Sequence, residues 1–324
     1  MPHTTQLVPL AQTPDQLAAL TPLAEAARAY VTASRSDRTR EAYRAQWAHF
    51  SAWCERHGLL SLPAAPQTVA FYLTARAQEG RKVATLAQAL AAISQAHQMA
   101  GHESPRSTPA VREAFKGIRR THGSAPDQKA PVLAEQLRAM VATLPATLAG
   151  ARNRALLLVG FSGAFRRSEL VGLVVSDLAF TSEGLTISLR RSKTDQEGLG
   201  RKVGILYGRA AGTCPVRSLK AWLELAGLTE GPVFRSVDRH GHIGGALGGK
   251  DVALIVKRAA SAVGLDPKVF AGHSLRAGLA TSAAKAGKAA HAIMKTTGHR
   301  SVAMVNKYIR DAELFTDNAA EGLL

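Results

Sequence analysis

From Leu23 onward, apolar positions recur at helical spacing, in blocks separated by turn residues. Over residues 38–56, Tyr43, Trp47, Phe50, Trp53 and Cys54 mark one face of an amphipathic helix. Ser36-Asp37 supplies a cap before it and Gly58 a stop after it. The aromatics of that face read as core. Residues 67–79 form a second helix with Val69, Phe71, Tyr72 and Leu73, closed by Gly80. Residues 83–99 form a third, with Leu86, Leu90, Ile93 and His97 in step, and His97 reads as a packed helix residue rather than a ligand. Residues 110–120 form a fourth. Before these, residues 1–22 are polar and carry Pro2, Pro9, Pro14 and Pro22, which predicts a flexible arm.

The stretch THGSAPDQKAP at 121–131 combines Gly, Ser, two Pro and charges between helical segments, the composition of a linker. It predicts a helical domain over 23–122, a linker over 123–131 and a second domain over 132–324. The second domain opens with helices at 133–141 and 151–161. The period then switches from 3.6 to about 2, giving short strands at 173–178, 185–191 and 202–206. Glu183-Gly184 marks the first turn and SKTDQEGLGR at 192–201 the second. Helices return at 210–226 and 249–263. The end, 311–324, is a short amphipathic segment carrying Leu314, Phe315, Leu323 and Leu324. The predicted class is mainly α with a small antiparallel sheet.

Charge changes the picture. The chain of 324 residues has a net charge of +17. Residues 1–122 carry 14 Lys and Arg against 8 Asp and Glu, for +6; the remainder carries 27 against 16, for +11. Both parts are basic, so the charge is not a detachable tail, and a polyanion gripped by two domains is the expected partner. Cys54 and Cys214 are far apart and unpatterned, which argues against a disulfide framework and fits a reduced, cytoplasmic setting, where a DNA partner would make the protein nucleoid-associated. The first residues lack a basic start followed by an apolar run, and no apolar run reaches 18 residues, so neither a signal peptide nor a membrane span is expected.

The densest chemistry lies between Ala271 and Tyr308. Gly272-His273-Ser274-Leu275-Arg276 puts an imidazole and a guanidinium three residues apart, on one face of a helix. Thr297-Gly298-His299 follows, and Gly298 should break the preceding helix. Ser301 then caps a helix whose core stripe is Val302, Val305 and Ile309, with Tyr308 beside the stripe. A guanidinium matches two phosphate oxygens, imidazoles move protons near neutral pH, and arginines aimed at developing charge let a phenol act as a nucleophile. The set reads as phosphoryl transfer to tyrosine without a metal. Such chemistry asks for a second arginine and a general acid. Arg166 supplies the arginine, with Glu169 three residues on to anchor it, although alone the pair is an ordinary intrahelical ion pair. Lys193, on the Gly-rich hairpin, is the preferred acid, with Lys202 an equal-looking neighbour. Arg40 and Arg44 lie off the apolar stripe of the first helix. Arg81, Lys82, Thr85 and Gln88 open the third helix, and Lys250 opens the helix at 249–263; these are the candidate DNA contacts. His240 and His242 are two apart in a Gly-rich loop with no carboxylate cluster, a weak metal signal. There is no G-x-x-x-x-G-K-[ST] loop, so no nucleotide cofactor and no metal is expected.

In chain order Arg166, Lys193, His273, Arg276, His299 and Tyr308, framed by R-x-x-E-L at 166–170, G-H-S-L-R at 272–276 and G-H at 298–299, resemble the tyrosine recombinases of the phage integrase family. Ala52-Trp53-Cys54, the helix at 83–97 and Tyr308-Ile309-Arg310 resemble its Cre-like branch, although Cre itself has a tryptophan at the place of His299, and Glu41 and Ala45 also depart from it. The resemblance implies a helical, SAM-like core-binding domain and a mixed α/β catalytic domain that together clamp duplex DNA carrying inverted-repeat sites, as a homo-tetramer on two sites. It also implies roles. Tyr308 attacks the scissile phosphate and leaves a 3′-phosphotyrosyl link. Arg166 and Arg276 hold the non-bridging oxygens, and His273 manages the tyrosine proton. His299 donates to the phosphate, Lys193 protonates the leaving 5′-oxygen, and Glu169 supports the arginine geometry. The apolar tail is the candidate for docking into a neighbouring subunit. Three other readings are a DNA-binding regulator with a vestigial site, a type IB topoisomerase-like or telomere-resolving enzyme, and a metal-dependent nuclease.

Overall fold

A computed structural model describes residues 14–123, 128–190 and 200–312. The chain divides into two compact units between Asp127 and Gln128. The first unit is helical among its described residues: α1 (Pro14–Ala33), α2 (Asp37–Arg56), α3 (Pro66–Gln78), α4 (Val83–Met99) and α5 (Pro109–His122). Ser36 caps α2 by accepting from the Thr39 amide, and α3 and α5 each begin with a proline, whose missing N–H costs nothing at that position. Phe50, Trp53 and Cys54 of α2 bury against Tyr72 and Leu73 of α3 and Leu86, Leu90 and Ile93 of α4. The Tyr72 ring meets Phe50 and Trp53 edge-on at 5.0 and 5.5 Å. Each such buried side chain contributes about 1.5–3 kcal/mol. His97 is a buried structural histidine: its Nε2 accepts from the Ala64 amide while Nδ1 faces the Ile93 carbonyl at 2.8 Å.

One boundary differs in this unit, where residues 1–13 lie outside the described residues. The arm expected over 1–22 is helical from Pro14 onward. Pro14 needs no N–H at a helix start, and Leu17, Ala18, Ala19 and Leu20 are strong helix formers, so one proline at position 22 does not stop α1. Leu23, Tyr30 and Val31 on α1 are exposed.

The second unit opens with α6 (Ala134–Ala142), α7 (Leu148–Ser162) and α8 (Arg167–Val171). An antiparallel sheet follows, β1 (Leu178–Phe180), β2 (Gly184–Leu189) and β3 (Arg201–Leu206), in the order β1-β2-β3. Then come α9 (Pro215–Leu225), the hairpin β4 (Arg235–Val237) and β5 (Ile243–Ala246), α10 (Gly249–Ala262), α11 (Ser274–Lys285), α12 (Ala290–Thr297) and α13 (Val302–Ala312). The core centres on α7, whose Leu156, Leu157 and Val159 pack with Trp222 of α9, and the Trp222 indole donates to the Val233 carbonyl.

Here too the local chemistry moves some boundaries. The first strand begins at Leu178 rather than 173, because the Asp177 carboxylate accepts from the Val174 amide and closes a 3-10 turn at Val175–Asp177. The helix expected from 210 begins at Pro215, where the Cys214 thiol sits at the cap and proline fixes the first turn. The loop holding His240 and His242 is the connection of the β4–β5 hairpin, which alternation did not reveal because β5 is Ile-Gly-Gly-Ala.

Candidate active site

The R-x-x-E-L segment folds as a turn into α8. Arg166 is the cap residue, its amide donates to Glu169 Oε2 at 2.9 Å, and its Nη1 donates to Glu169 Oε1 at 2.6 Å. The Glu169 side chain is 2% exposed. The pair is therefore far from an ordinary solvated ion pair.

Arg276, on the first turn of α11, is buried against the same place. Its Nη1 donates to the carbonyl of Ala164 at 2.8 Å and to that of Thr297 at the end of α12. Ala164 presents its carbonyl from φ +48°, a left-handed conformation that costs a non-glycine residue about 1–2 kcal/mol and that is held here by full burial. Burial first, then the Arg166 and Arg201 charges, bring the Arg276 guanidinium down to about 10, still charged at neutral pH; Glu169 and Tyr308 act the other way.

Arg201 is the member that sequence reasoning missed. It begins β3, its Nη1 donates to the Thr296 carbonyl at 2.9 Å, and its Nη2 lies 3.6 Å from Glu169 Oε2. Two guanidiniums thus pair with one carboxylate, and that of Arg276 is near enough to feel all three charges. Burial lowers the Arg201 pKa, with Glu169 opposing and Arg166 adding to the shift. Among the described residues neither Nη2 of Arg201, whose contact with Glu169 is a long ion pair, nor Nη2 of Arg276 makes a hydrogen bond, and both are buried. Two orphaned cationic donors in one cluster are a place where an anion with several acceptor oxygens fits. The signal for Arg201 was in the alternation: Arg201, Val203 and Ile205 share the inward face of β3, so a cation stands in a core register, while Lys202 is exposed on the other face.

Gly298 ends α12 in the left-handed conformation, φ +68°, as expected. A Cβ there would lie 3.0 Å from Arg201 Cζ, so glycine serves both the turn and the close approach. The turn delivers His299, 7% exposed, with Nδ1 2.8 Å from the Thr297 hydroxyl. Burial, then Arg276, Arg166 and Arg201, push its pKa down to about 4. Ser301 accepts from the Met304 amide at the start of α13. Tyr308 is partly buried beside Ala280, Ala284, Ile293 and Val305, and its ring lies 5.8 Å from that of His299 at 33°. Val302, expected in the stripe, is instead 52% exposed, because the first turn of α13 projects past the core.

His273 sits at the cap of α11, exposed, where Arg276 turns inward. Lys193 lies outside the described residues, as does the tail from 313. The DNA-contact candidates are Arg40 and Arg44 on α2, Arg81, Lys82, Thr85 and Gln88 at the start of α4, and Lys250 on the first turn of α10. Arg44, Arg81, Lys82, Gln88 and Lys250 are exposed. Arg40 is tied to Asp37 and to the Thr32 carbonyl, and Arg81 lies 3.9 Å from Glu79. His242 Nδ1 pairs with Asp238, and among the described residues no group of three His, Cys, Asp or Glu side chains suited to a metal ion comes together.

Residues 132–314, more than half of the chain, match the phage integrase family. The chain belongs to that family of tyrosine recombinases. It is 43% identical over 292 residues to an integrase/recombinase XerD homologue of Selenomonas ruminantium, covering 88% of this chain and 85% of that one. It is 25% identical over 285 residues to the Cre recombinase of Escherichia phage P1, covering 82% and 81%. Among solved structures, the fold is similar to XerH site-specific recombinase bound to a palindromic difH substrate in a post-cleavage complex, with a TM-score of 0.59 at 19% identity over 80% of this chain and 72% of that one. It is equally similar, at 0.59 and 19% identity over 91% and 96%, to a lambda integrase dimer bound to a COC′ core site.

Proposed function

We propose that this recombinase cleaves and rejoins duplex DNA at specific sites through a 3′-phosphotyrosyl intermediate on Tyr308, with no metal or nucleotide cofactor. The observation that carries the reading is the pair of buried Nη2 donors on Arg201 and Arg276 that make no hydrogen bond among the described residues, beside a tyrosine and a histidine. A scissile phosphate placed there meets donors already desolvated, so their attraction to the charge that develops on its oxygens is strong and needs no reorganisation. Tyr308 Oη attacks phosphorus, the bond to the 5′-oxygen breaks, and the leaving oxygen takes a proton from a general acid. One phosphodiester replaces another, so no outside energy source is required. Arg166 and Arg276 hold the non-bridging oxygens, Glu169 fixes both Arg166 and Arg201, and His273, at the exposed cap of α11, handles a proton. Lys193 is the proposed acid, and the outward face occupied by Lys202 favours that choice.

The faces of α2 and α4 and the start of α10 are proposed to follow the DNA backbone, with Gln88 addressing a base edge. Assembly as a homo-tetramer on two inverted-repeat sites follows from the need for four strand cleavages, and docking of the apolar tail in a neighbouring subunit is part of the same reading. A groove of about 570 Å³ lined by Phe161, Ile205, Leu279, Ala283 and Ile293 supports an apolar visitor of that kind.

The test is recombination of a plasmid bearing two copies of the native site, with chelator and without nucleotide. Recombinant circles that need both sites are expected. Relaxation with a single site would favour the topoisomerase-like reading, and specific binding without any strand cleavage would favour the regulator.

A further inference from the structure

The Thr297 side chain is buried between two partners. Its hydroxyl donates its one hydrogen to the Ile293 carbonyl at 2.7 Å, one turn back in α12. What the same oxygen offers His299 Nδ1, 2.8 Å away, is therefore a lone pair. The Nδ1 atom must carry the proton of a neutral imidazole, and Nε2 is left bare. Among the described residues Nε2 has no hydrogen-bond partner. The charged groups acting on the ring are Arg276 of α11, Arg166 at the cap of α8 and Arg201 of β3, the ring of Tyr308 of α13 lies beside it, and Glu169 of α8 stands behind the arginines. The arginines carry donors only, and Glu169 is engaged by Arg166 and Arg201, so the phenol of Tyr308 is the proton-bearing neutral group beside the ring.

We propose that Thr297 is a positioning residue that locks His299 as the Nδ1–H tautomer, so that its Nε2, rather than the exposed His273 to which the resemblance assigned this step, enters the reaction as the acceptor of the Tyr308 proton. The step rests on the strand-cleavage reading above and balances as follows. The Tyr308 O–H bond breaks as Oη bonds to phosphorus, the proton moves to Nε2, and the electron pair of the P–O5′ bond leaves with the 5′-oxygen, which is protonated by the general acid. The imidazolium so formed keeps Nδ1–H on Thr297 and now has Nε2–H to donate to a non-bridging oxygen. His299 thus becomes a phosphate donor only after it has served as a base. The three arginines oppose that protonation in the free protein, and the negative charge of a bound phosphate offsets them. Rejoining runs the same steps backwards. The main chain of Thr297 has a separate duty, since its carbonyl accepts from Arg276; changing the side chain leaves that contact in place.

Two measurements test this. The first is a 15N–1H spectrum of the imidazole in the full-length free protein at pH 7, which reports directly which ring nitrogen bears hydrogen. Proton on Nδ1 is expected for the parent and for Thr297→Ser, and a mixture for Thr297→Val. Proton on Nε2 in the parent overturns the proposal whatever the enzyme does to DNA. The second is single-turnover cleavage of a half-site. Thr297→Val should cleave about tenfold more slowly than the parent, with unchanged DNA affinity and an altered pH–rate profile. Thr297→Ser should be within about twofold of the parent. Equal rates and profiles for Thr297→Val and the parent would remove the mechanistic role. A parent that forms no adduct would instead count against the cleavage reading, leaving the tautomer decided by the spectrum.

Discussion

The two units handle positive charge in opposite ways. In the second, Arg166 and Arg201 pair with a single buried carboxylate, Arg276 is buried near enough to feel their charges, and among the described residues two nitrogens of the set make no hydrogen bond. In the first, Arg44, Arg81 and Lys82 lie in water on α2 and at the start of α4. Burial makes a charge costly to fold and strong toward an incoming anion, because nothing screens it. Exposure makes a charge cheap, mobile and sensitive to salt. The buried set is suited to stabilising a reacting phosphate, and the exposed set to finding and following a DNA backbone.

That contrast can be broken most severely at Glu169. Glu169→Gln keeps the shape but leaves three neighbouring guanidiniums without a counter-charge, and should cost about 3–5 kcal/mol in urea unfolding. On the proposed reading Arg276→Ala removes a transition-state donor, and it should slow single-turnover cleavage on the order of a thousandfold, measured at saturating DNA so that binding is not read instead. Arg201→Ala should be milder, about tenfold to a hundredfold, since it acts on the phosphate with one fewer anchoring carbonyl.

The next effect is on pH. The His299 pKa falls from 6.5 to about 4 on folding, by burial first and then by the arginines. Between those values the unfolded chain binds one proton more than the native protein, so this histidine stabilises the fold fully above pH 6.5, and that contribution is lost as pH falls toward 4. The slope is about 1.4 kcal/mol per pH unit and the whole contribution up to about 3 kcal/mol. Urea midpoints of the parent and His299→Asn, followed from pH 7 to 4, should converge as the parent loses this term. Parallel curves would mean that the imidazole is not held neutral. Smallest is the exposed set: Arg44→Ala should weaken DNA binding similarly across sequences and reduce the slope of log affinity against log salt by about 1, with the cleavage step unaffected.

Much of this was legible in the chain because each feature has a local cause. Helices α2 to α5 follow from apolar spacing, with Ser36 readable as the cap of α2, while the prolines that open α3 and α5 went unread. Gly298 was readable as a left-handed stop, and R-x-x-E-L as an arginine with its own carboxylate. Other features depend on what the fold brings together. Arg201 lies far along the chain from both Glu169 and Thr296, and Ala164 takes φ +48° only because its surroundings hold it. The β4–β5 hairpin escaped because Gly244 and Gly245 carry no side chains to alternate. The bond from His299 to Thr297 spans two residues, yet no periodicity marks it, since it exists only where α12 stops.

The central claim is that Tyr308 is the nucleophile of a site whose arginines await a phosphate. Its most direct test is to trap the reaction on DNA bearing the native site, in chelator, by quenching in denaturant, for the parent and for Tyr308→Phe. A covalent protein–DNA adduct in the parent, joined through a 3′-phosphate and absent from Tyr308→Phe at equal DNA affinity, is the predicted result. An adduct that survives in Tyr308→Phe, or specific binding by the parent with no adduct at all, would contradict the account.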